Sequence, residues 1–392
     1  MPTRAQIERI ENLIERYLDV VHSERNQRNL KRWKSPYNWN RDMWRGIPAE
    51  RTGPVPFTVA PDNSLWNRLI GINFVSYYSD PCYHVESQLR MKLFHAEHFT
   101  DNTPFTDELW IWFGVVTELS LFGCEVEFME HKEPWIRRSG LPPGISAEEL
   151  EAPDFKKSAV MPRVHEFYES VREVSKGRLR VMFPDFVRGP FCLLVHILGF
   201  TNALYALMDS PEWVHRLMQY FVNGTKSWVK ERNIFLGDTI RPCRLYEDEI
   251  DCPTISPRIY DQMVFPYEAD LARHCGGVSY WHSCGNTTAF MKSIKHLPGL
   301  QMFHVGPYTS YAEADRIFGD EVCIEICLNP QKDVLEADTE TMRNKIRDIK
   351  NVCRHGNYTI RIDGLMPHGK VQEDLEKIKQ WCWIAQEELA AR

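Results

Sequence analysis

The hydrophobic pattern in the second half of the chain alternates between short apolar runs and longer amphipathic segments. The short runs have the length of strands, and the longer segments repeat with the period of a helix. Strands are predicted at 178–183, 243–247, 278–281, 301–304, 322–326 and 358–362. Helices are predicted at 193–208, 213–233 and 257–274, and an amphipathic helix follows each later strand. This order predicts a parallel sheet covered by helices, and the length favours a closed (β/α)8 TIM barrel over an open doubly wound sheet.

The first half of the chain is less regular. Residues 4–33 have an apolar stripe with helical spacing, which suits either a dimer contact or packing within the chain. Residues 34–80 are rich in Pro, Trp and Asn and predict an irregular cover, followed by a helix at 84–96. A strand is predicted at 123–129, and a Pro-rich loop at 133–156 is interpreted as an inserted cap. We therefore predict an N-terminal helical and irregular arm over 1–95 and a barrel over 96–392.

Composition narrows the class of protein. The chain has 392 residues, of which 43% are hydrophobic, and a net charge of -7 without a basic stripe, which argues against nucleic acid as a partner. The beginning of the chain lacks an apolar signal core and no apolar run has the length of a membrane span, so we expect a cytoplasmic protein. The eleven scattered cysteines predict reduced thiols. The high content of Trp, Tyr and Phe is consistent with a pocket for a flat or apolar ligand.

The segment His282-Ser-Cys284 is the strongest candidate for chemistry. Residues i and i+2 of an extended chain point the same way, so this imidazole and this sulfur can converge on one ion. Zinc takes nitrogen and thiolate ligands and keeps an open position when it is catalytic. A buried thiol beside a core histidine is the simpler interpretation of an isolated pair. Here a strand precedes the pair and Gly285 follows it, which favours a functional site.

Polar residues recur at the ends of the other predicted strands. They are Glu247, Asp248, Glu249 and Asp251 after one strand, then His304, then Glu325 and Cys327, and last Asp363. In a barrel these strand ends form one rim. Cys327, Asp363 and Glu249 are the groups best placed to complete a zinc site. Glu247, Glu249 and His304 are the candidates for acid, base or orienting roles, although the run from Glu247 to Asp251 also suits a solvated loop.

Several motifs together resemble the uroporphyrinogen decarboxylase superfamily. They are Arg188-Gly-Pro-Phe191, Phe265-Pro-Tyr, Trp281-His-Ser-Cys-Gly-Asn286, Ile317-Phe-Gly-Asp320, Leu328-Asn-Pro330 and Asp363-Gly-Leu-Met-Pro367. Within that superfamily the chain is similar to the cobalamin-dependent methyltransferases, over about residues 100–390. The resemblance implies a (β/α)8 barrel that binds zinc through His282 and Cys284. It also implies transfer of a methyl group between a small substrate and a corrinoid carried by a partner protein.

The chain departs from this branch at Asp363, where methylthiol-type members have a second cysteine. Either Asp363 coordinates through oxygen or Cys327 supplies the missing thiolate. A carboxylate in place of a thiolate makes the metal a stronger Lewis acid, which suits cleavage of a methyl ether. We therefore expect O-demethylation, with an aromatic methyl ether as the favoured donor.

Two other functions remain open from the sequence. One is decarboxylation of uroporphyrinogen without a cofactor, although the arginine-glutamine-alanine-glycine-arginine pattern of those enzymes is missing among the first hundred residues. The other is a non-catalytic barrel that binds a corrinoid protein. The chain also lacks the Asp-x-His-x-x-Gly pattern that ligates a corrinoid, so the cofactor is expected to arrive on the partner.

Overall fold

The structure, a computed structural model, describes residues 3–34, 45–141 and 145–390. Its strands are β1 (Phe57–Pro61), β2 (Glu108–Trp110), β3 (Glu125–Glu127), β4 (Trp135–Arg138), β5 (Arg180–Met182), β6 (Cys243–Tyr246), β7 (Val278–His282), β8 (Met302–Val305), β9 (Cys323–Leu328) and β10 (Tyr358–Leu365). The helices before β6 are α1 (Arg4–His22), α2 (Glu24–Leu30), α3 (Asn63–Ile70), α4 (Phe74–Tyr77), α5 (Pro81–His98), α6 (Thr117–Leu121), α7 (Met161–Ser175), α8 (Pro190–Leu198), α9 (Phe200–Asp209) and α10 (Pro211–Leu236).

The helices after β6 complete the fold. They are α11 (Pro257–Ile259), α12 (Phe265–Cys275), α13 (Met291–Ile294), α14 (Tyr311–Phe318), α15 (Thr339–Val352) and α16 (Val371–Leu389). A π-helical turn, Tyr260–Val264, joins α11 to α12, so this part of the chain is helical from Pro257 to Cys275, as predicted for 257–274.

One parallel sheet of six strands forms the centre of the molecule, in the order β1-β10-β9-β8-β7-β6. The parallel α/β architecture expected from the sequence is therefore present. In the first half of the chain, β2 and β5 form a separate parallel sheet of two strands. A backbone bridge between Arg188 and Tyr246 extends the pairing beyond β6.

Side chains alternate between the two faces of the sheet, because successive residues of a strand point to opposite sides. On one face Leu245, Trp281 and Phe303 pack toward the helices, and the rings of Trp281 and Phe303 stack at 5.4 Å. The opposite face has its own smaller apolar cluster, which includes Tyr246 and Tyr280. This inner face leads to the candidate site, since Tyr246, Tyr280 and His282 belong to it by the same alternation.

The structure corrects several predicted elements. The segment expected to be an irregular cover contains β1, which pairs with β10, so the sheet begins inside the predicted arm of residues 1–95. The predicted Pro-rich loop contains β4, which forms an antiparallel hairpin with β3. The helix predicted at 193–208 is two helices, α8 and α9, which break at Gly199, where φ is 83°. Propensity and period alone did not reveal this break, because both halves are strongly apolar.

The stripe of α1 packs within the chain. Ile10, Ile14 and Tyr17 are fully buried, and the Tyr17 hydroxyl donates to the carbonyl of Thr106 at 2.6 Å. Of the two predicted uses of this helix, intramolecular packing is the one that the stripe serves; a homodimer stays a prediction. Across the part of the chain that the structure describes, no single helix has both the length and the apolar character of a membrane span; α8 and α9 reach them only jointly, across a bend of 110°.

The buried carboxylate of Asp101 connects α5 to β1. Asp101 accepts from the backbone N–H of Val59 at 2.9 Å and from the Thr103 hydroxyl at 2.6 Å, and it lies 3.0 Å from Nε2 of His95. Burial by itself would raise the pKa of Asp101, but His95 and these hydrogen bonds lower it below its usual value. Asp101 is thus a charged link between the N-terminal helices and the edge of the sheet.

Candidate active site

A cavity of about 430 Å³ lies at the carboxyl ends of the strands. Its wall combines apolar side chains, among them Val115, Val187 and Leu328, with charged and aromatic ones. The predicted site residues His282, Cys284, His304, Cys327 and Asp363 all line it. The structure therefore brings these five residues to one edge of the sheet, and the remaining question is which of them lie within reach of one ion.

Asp248, His282 and Cys284 form a group that is able to hold a metal ion. Nε2 of His282 lies 3.1 Å from Oδ1 of Asp248 and 3.4 Å from Sγ of Cys284, and Sγ lies 3.5 Å from the same Oδ1. A tetrahedral zinc ion with bonds of about 2.0–2.3 Å holds its ligand atoms about 3.3–3.8 Å apart. The three donor atoms therefore approximate one face of a zinc tetrahedron, and the donor set of nitrogen, sulfur and oxygen suits zinc.

The turn after β7 fixes His282 and Cys284. The Ser283 hydroxyl donates to the carbonyl of Ile250 at 2.8 Å and accepts from the backbone N–H of Gly285 at 3.1 Å. A Cβ added to Gly285 would lie 2.6 Å from the Ile250 oxygen and 2.6 Å from Cβ of Asp251, so the close approach of the two loops requires glycine. The turn is thereby bound to the loop that carries Asp248.

Arg188 holds Asp248 in place. Its Nη1 atom pairs with Oδ2 of Asp248, which leaves Oδ1 facing His282 and Cys284. Burial would raise the pKa of Asp248, but Arg188 and His282 lower it far below its usual value, so the group is a carboxylate. Burial and the neighbouring Asp248 raise the pKa of the Cys284 thiol. A bound cation would favour the thiolate, as metal ions do for cysteine ligands.

Tyr280 connects His282 to the interior of the sheet. It donates its hydroxyl hydrogen to Glu325, so its oxygen accepts from Nδ1 of His282, at 3.4 Å. In the neutral tautomer that a metal ion would bind, the hydrogen of His282 lies on Nδ1 and the lone pair is on Nε2, the atom that faces Asp248 and Cys284. Second partners of this kind orient histidine ligands of metal ions.

His304, Glu325 and Cys327 form a second group with donor atoms close together. Nδ1 of His304 donates to the carbonyl of Ser283 at 2.8 Å, which leaves Nε2 as an acceptor. Burial, His282 and Arg45 lower the pKa of His304 well below its usual value, so the ring is neutral. Glu325 is already paired with Arg45 at 3.2 Å and bonded to Tyr280. The adjacent guanidinium makes this second group a poor cation site, and Cys327 belongs to it rather than to the pair His282 and Cys284.

Asp363 lines the cavity but is paired with two arginines. Its Oδ2 atom lies 3.1 Å from Nη2 of Arg45 and 3.1 Å from Nε of Arg361. Burial would raise the pKa of Asp363, but the arginines lower it below its usual range. Within the described residues Asp363 belongs to neither of the groups that could hold a metal ion. Beside His282 and Cys284 the structure places Asp248, whereas Cys327, Asp363 and Glu249 were the predicted candidates.

The two glutamates predicted as catalytic lie behind the strand, toward α8. Glu247 is fully buried and accepts from the backbone N–H groups of Phe191 at 3.1 Å and Cys192 at 2.6 Å. It therefore caps the start of α8, and burial together with the nearby Glu268 raises its pKa well above the usual value. Glu249 pairs with His196 of α8 at 3.2 Å. Neither glutamate lines the cavity.

Three residues of this candidate site, Asp248, Arg45 and Arg188, were given no role from the sequence. Asp248 was recognisable from alternation, because Tyr246 lies on the inner face of β6 and position 248 continues that side, whereas 247 continues the face of Leu245. Arg188 belonged to a recognised motif without an assigned function. Arg45 stands in a segment without periodicity, so no pattern connected it to the last two strands.

Comparison with known proteins shows the family to which the chain belongs. The family model described as Uroporphyrinogen decarboxylase (URO-D) matches residues 67–360, and the chain belongs to this family, as its motifs predicted. In fold it is similar to a methyltransferase from Methanosarcina mazei, with a TM-score of 0.62 over 86% of this chain and 94% of that chain. The two sequences are 13% identical, so the likeness is one of fold. No curated protein sequence matches the chain.

Proposed function

We propose that this chain is a zinc-dependent methyltransferase, which takes a methyl group from a small methylated substrate and passes it to a corrinoid on a partner protein. The observation that carries the proposal is the convergence of Asp248, His282 and Cys284 at the wall of the cavity. Structural zinc sites have four protein ligands, whereas catalytic ones have three and keep one position open. Three ligands beside a cavity are what a catalytic ion would use.

Zinc bound by these three residues would act as a Lewis acid toward the oxygen that carries the methyl group. The protein's own groups prepare that position. Arg188 keeps Asp248 ionised and oriented, and Tyr280 keeps Nε2 of His282 available as a ligand. Val115, Val187 and Leu328 add apolar surface to the same cavity. The combination of polar and apolar lining favours a substrate with an apolar body, such as an aromatic methyl ether, and therefore O-demethylation.

We also propose that the strands close into a (β/α)8 barrel. The six-stranded sheet ends at β6, where the bridge from Arg188 to Tyr246 leads toward the parallel pair of β5 and β2. Eight parallel strands would then surround the inner apolar cluster. The position of the cavity at their carboxyl ends supports this arrangement, since barrel enzymes carry their sites there.

The corrinoid would be presented by another protein at the mouth of the cavity. Tyr308 lines the cavity and is 68% exposed, and Met366, close in sequence to the lining residue Gly364, is 60% exposed. Exposed apolar side chains at the mouth suit a transient contact of modest size. Methyl transfer requires the accepting cobalt and the methyl carbon to approach in line, which an open mouth allows.

The arginines of the site disfavour the decarboxylase alternative. A substrate with eight carboxylates needs several arginines that are available to bind it. Among the described lining residues, Arg45 and Arg188 are the arginines, and both are paired with carboxylates of the chain itself. A non-catalytic barrel would have no use for the group formed by Asp248, His282 and Cys284. No other observation on the described residues favours that alternative.

Transfer from a methyl donor tests the proposed function. The purified, zinc-loaded chain should demethylate a methoxylated aromatic compound when cob(I)alamin, free or bound to a corrinoid protein, is added, and methylcobalamin should form in equal amount. Without cobalamin no demethylated product is expected. Decarboxylation of uroporphyrinogen by the chain alone would overturn the proposal, as would unchanged methyl transfer after complete removal of zinc.

A further inference from the structure

The guanidinium of Arg188 has one nitrogen atom that the chain itself does not use. The residue is 4% exposed and lines the cavity. Its Nε atom donates to the carbonyl of Val115 at 3.2 Å, and Nη1 donates to Sγ of Cys192 at 3.3 Å and to Oδ2 of Asp248. Nη2 makes no hydrogen bond within the described residues. Unlike Nη1 of Arg45, which is sealed in the interior, this atom keeps accessible surface, so a ligand in the cavity can supply its acceptor.

The planar shape of the guanidinium fixes the direction in which Nη2 donates. This nitrogen shares one edge of the group with Nε and the other edge with Nη1. Its acceptor therefore lies between the carbonyl of Val115 on one side and the groups bonded to Nη1 on the other. Val115 and Asp248 both line the cavity. The free donor thus faces the space that a substrate would occupy.

Asp248 lies between this donor and the group that could hold a metal ion. Its Oδ2 atom contacts Arg188, and its Oδ1 atom lies 3.1 Å from Nε2 of His282 and 3.5 Å from Sγ of Cys284. The two oxygens belong to one carboxylate, so only the width of that carboxylate separates the guanidinium from His282 and Cys284. An oxygen atom of a substrate that lies beside Asp248 is therefore within reach of Nη2.

A single free nitrogen selects the kind of acceptor. Arginine binds a carboxylate best with two parallel N–H groups, whereas Nη2 is alone here. One oxygen atom that gains negative charge is the better match, since a charged donor strengthens such a bond. Methyl transfer from an ether to cob(I)alamin creates this atom. The cobalt supplies the electron pair of the new cobalt–carbon bond, the carbon–oxygen bond breaks, and its electron pair stays on the oxygen, which becomes a phenoxide.

We infer that Arg188 is a catalytic residue, whose Nη2 atom donates a hydrogen bond to the oxygen from which the methyl group leaves. This inference rests on the proposed function and adds a residue to its chemistry. The bond strengthens as the oxygen becomes negative, and the bonds to Val115 and Cys192 hold the donor in place beforehand. Loss of one such preorganised donor typically lowers kcat about 10²–10³-fold.

Binding of a phenol to the metal-free protein, without any corrinoid, tests the inference apart from the reaction. The probe is 4-nitrophenol, whose phenolate absorbs visible light. A hydrogen bond from Arg188 stabilises the phenolate, so the acid dissociation constant of the bound phenol should exceed that of the free phenol at least about tenfold. Arg188→Lys keeps a charge beside Asp248 but has no second nitrogen, so the increase should be about twofold or less. The matched control is Arg232→Lys, a buried arginine that donates to the carbonyl of Pro184 at 2.7 Å outside the cavity wall and should keep the increase.

The leaving ability of the phenoxide gives the second measurement. With cob(I)alamin and saturating zinc, Arg188→Lys should slow demethylation of methoxybenzene about a hundredfold. Demethylation of 4-methoxybenzonitrile, whose phenoxide is more stable, should slow less than about tenfold, because its leaving oxygen needs less stabilisation. A residue that only positions Asp248 would slow both ethers equally. That result would overturn the inference and leave the proposed function standing.

The phenol titration separates the inference from the proposed reaction. An unchanged acid dissociation constant in the wild-type protein, or no binding of the phenol, overturns the inference, and this measurement needs no variant to fold. An increase that survives Arg188→Lys also overturns it, because another group would then stabilise the phenolate. An increase that depends on Arg188, together with no methyl transfer from either ether, supports the phenolate site and overturns the proposed reaction.

Discussion

Asp248, just beyond β6, reaches His282 at the end of β7, and 3.1 Å separates its Oδ1 atom from Nε2 of the imidazole. The register of the two strands causes this contact, since Tyr246 pairs with His282 and Asp248 lies two residues further on the same face. Asp248 also brings Arg188 to the site through its second oxygen. The strand pair thus brings a nitrogen, a sulfur and a carboxylate donor together at the adjacent ends of β6 and β7.

Loss of either Asp248 or Cys284 as a ligand should release the metal. Asp248→Asn and Cys284→Ser should each lower zinc from about one ion per chain to less than about a tenth after dialysis, because a site with two strong ligands binds zinc weakly. The melting temperature of the metal-free wild-type chain is the reference for folding. Metal analysis gives the zinc content. Full zinc occupancy in both variants would show that the ion binds elsewhere.

Glu249→Gln should leave both zinc content and turnover within about twofold of the wild type, because Glu249 faces His196 and α8 rather than the cavity. The sequence predicted a catalytic role for this carboxylate, for which a loss of about a hundredfold or more is typical. Steady-state kinetics with saturating donor decide between the two. A hundredfold loss with zinc retained would restore the catalytic assignment.

Gly189→Ala should destabilise the fold by about 2 kcal/mol or more, as overpacking of a buried site does. A Cβ at position 189 would lie 2.1 Å from Cδ of Glu247, the residue that caps α8. Denaturant unfolding at neutral pH measures the effect. The matched control is Gly369→Ala, whose Cβ would meet the end of the flexible Glu373 side chain at 3.2 Å and should cost far less. Equal stability of the two variants would contradict the close approach of Gly189 to Glu247.

Asp101→Asn should destabilise the chain most at pH values above the usual pKa of the aspartate. The pKa of Asp101 is lower in the folded protein than the reference value of 3.8, so its stabilising effect is complete above that value and disappears as the pH falls through the folded pKa. We expect a loss of about 2–4 kcal/mol at pH 7 and a smaller one near pH 3. Urea unfolding of both proteins at the two pH values measures this. A difference that grows toward acid would contradict the assignment.

The regular second half of the chain was predictable because its strands are buried on both faces and its helices are amphipathic. The predicted strands containing Val278 and Tyr358 correspond to β7 and β10, and the proximity of His282 and Cys284 followed from their spacing alone. The features that could not be predicted depend on contacts between residues far apart in the sequence. β1 is short and lies among prolines, so its pairing with β10, about 300 residues later, left no local pattern. The pairing of Arg45 with Asp363 is equally remote in sequence.

A second difficulty for the prediction was to decide on which face of the sheet each polar residue lies. A run such as Glu247-Asp248-Glu249 offers three carboxylates, and only the continuation of the strand's alternation separates the inner one from its neighbours. The outer two were the predicted catalytic residues. Charge pairing was equally hidden, since Asp363 lines the cavity as a strand-end residue but is paired with Arg45 and Arg361.

Arg188 has two tasks, because it holds Asp248 and also forms the bridge to Tyr246. The backbone N–H of Tyr246 donates to Val187 at 2.8 Å, and that of Gly189 donates to Tyr246 at 3.0 Å. Transient opening of this seam would therefore pull away the guanidinium that keeps Asp248 in position. By linkage, an ion that binds the closed arrangement better must also hold the seam shut. Amide hydrogen exchange at Tyr246 and Gly189 should then slow in proportion to zinc occupancy. The exchange rates of these two backbone amides would therefore measure zinc binding at the site.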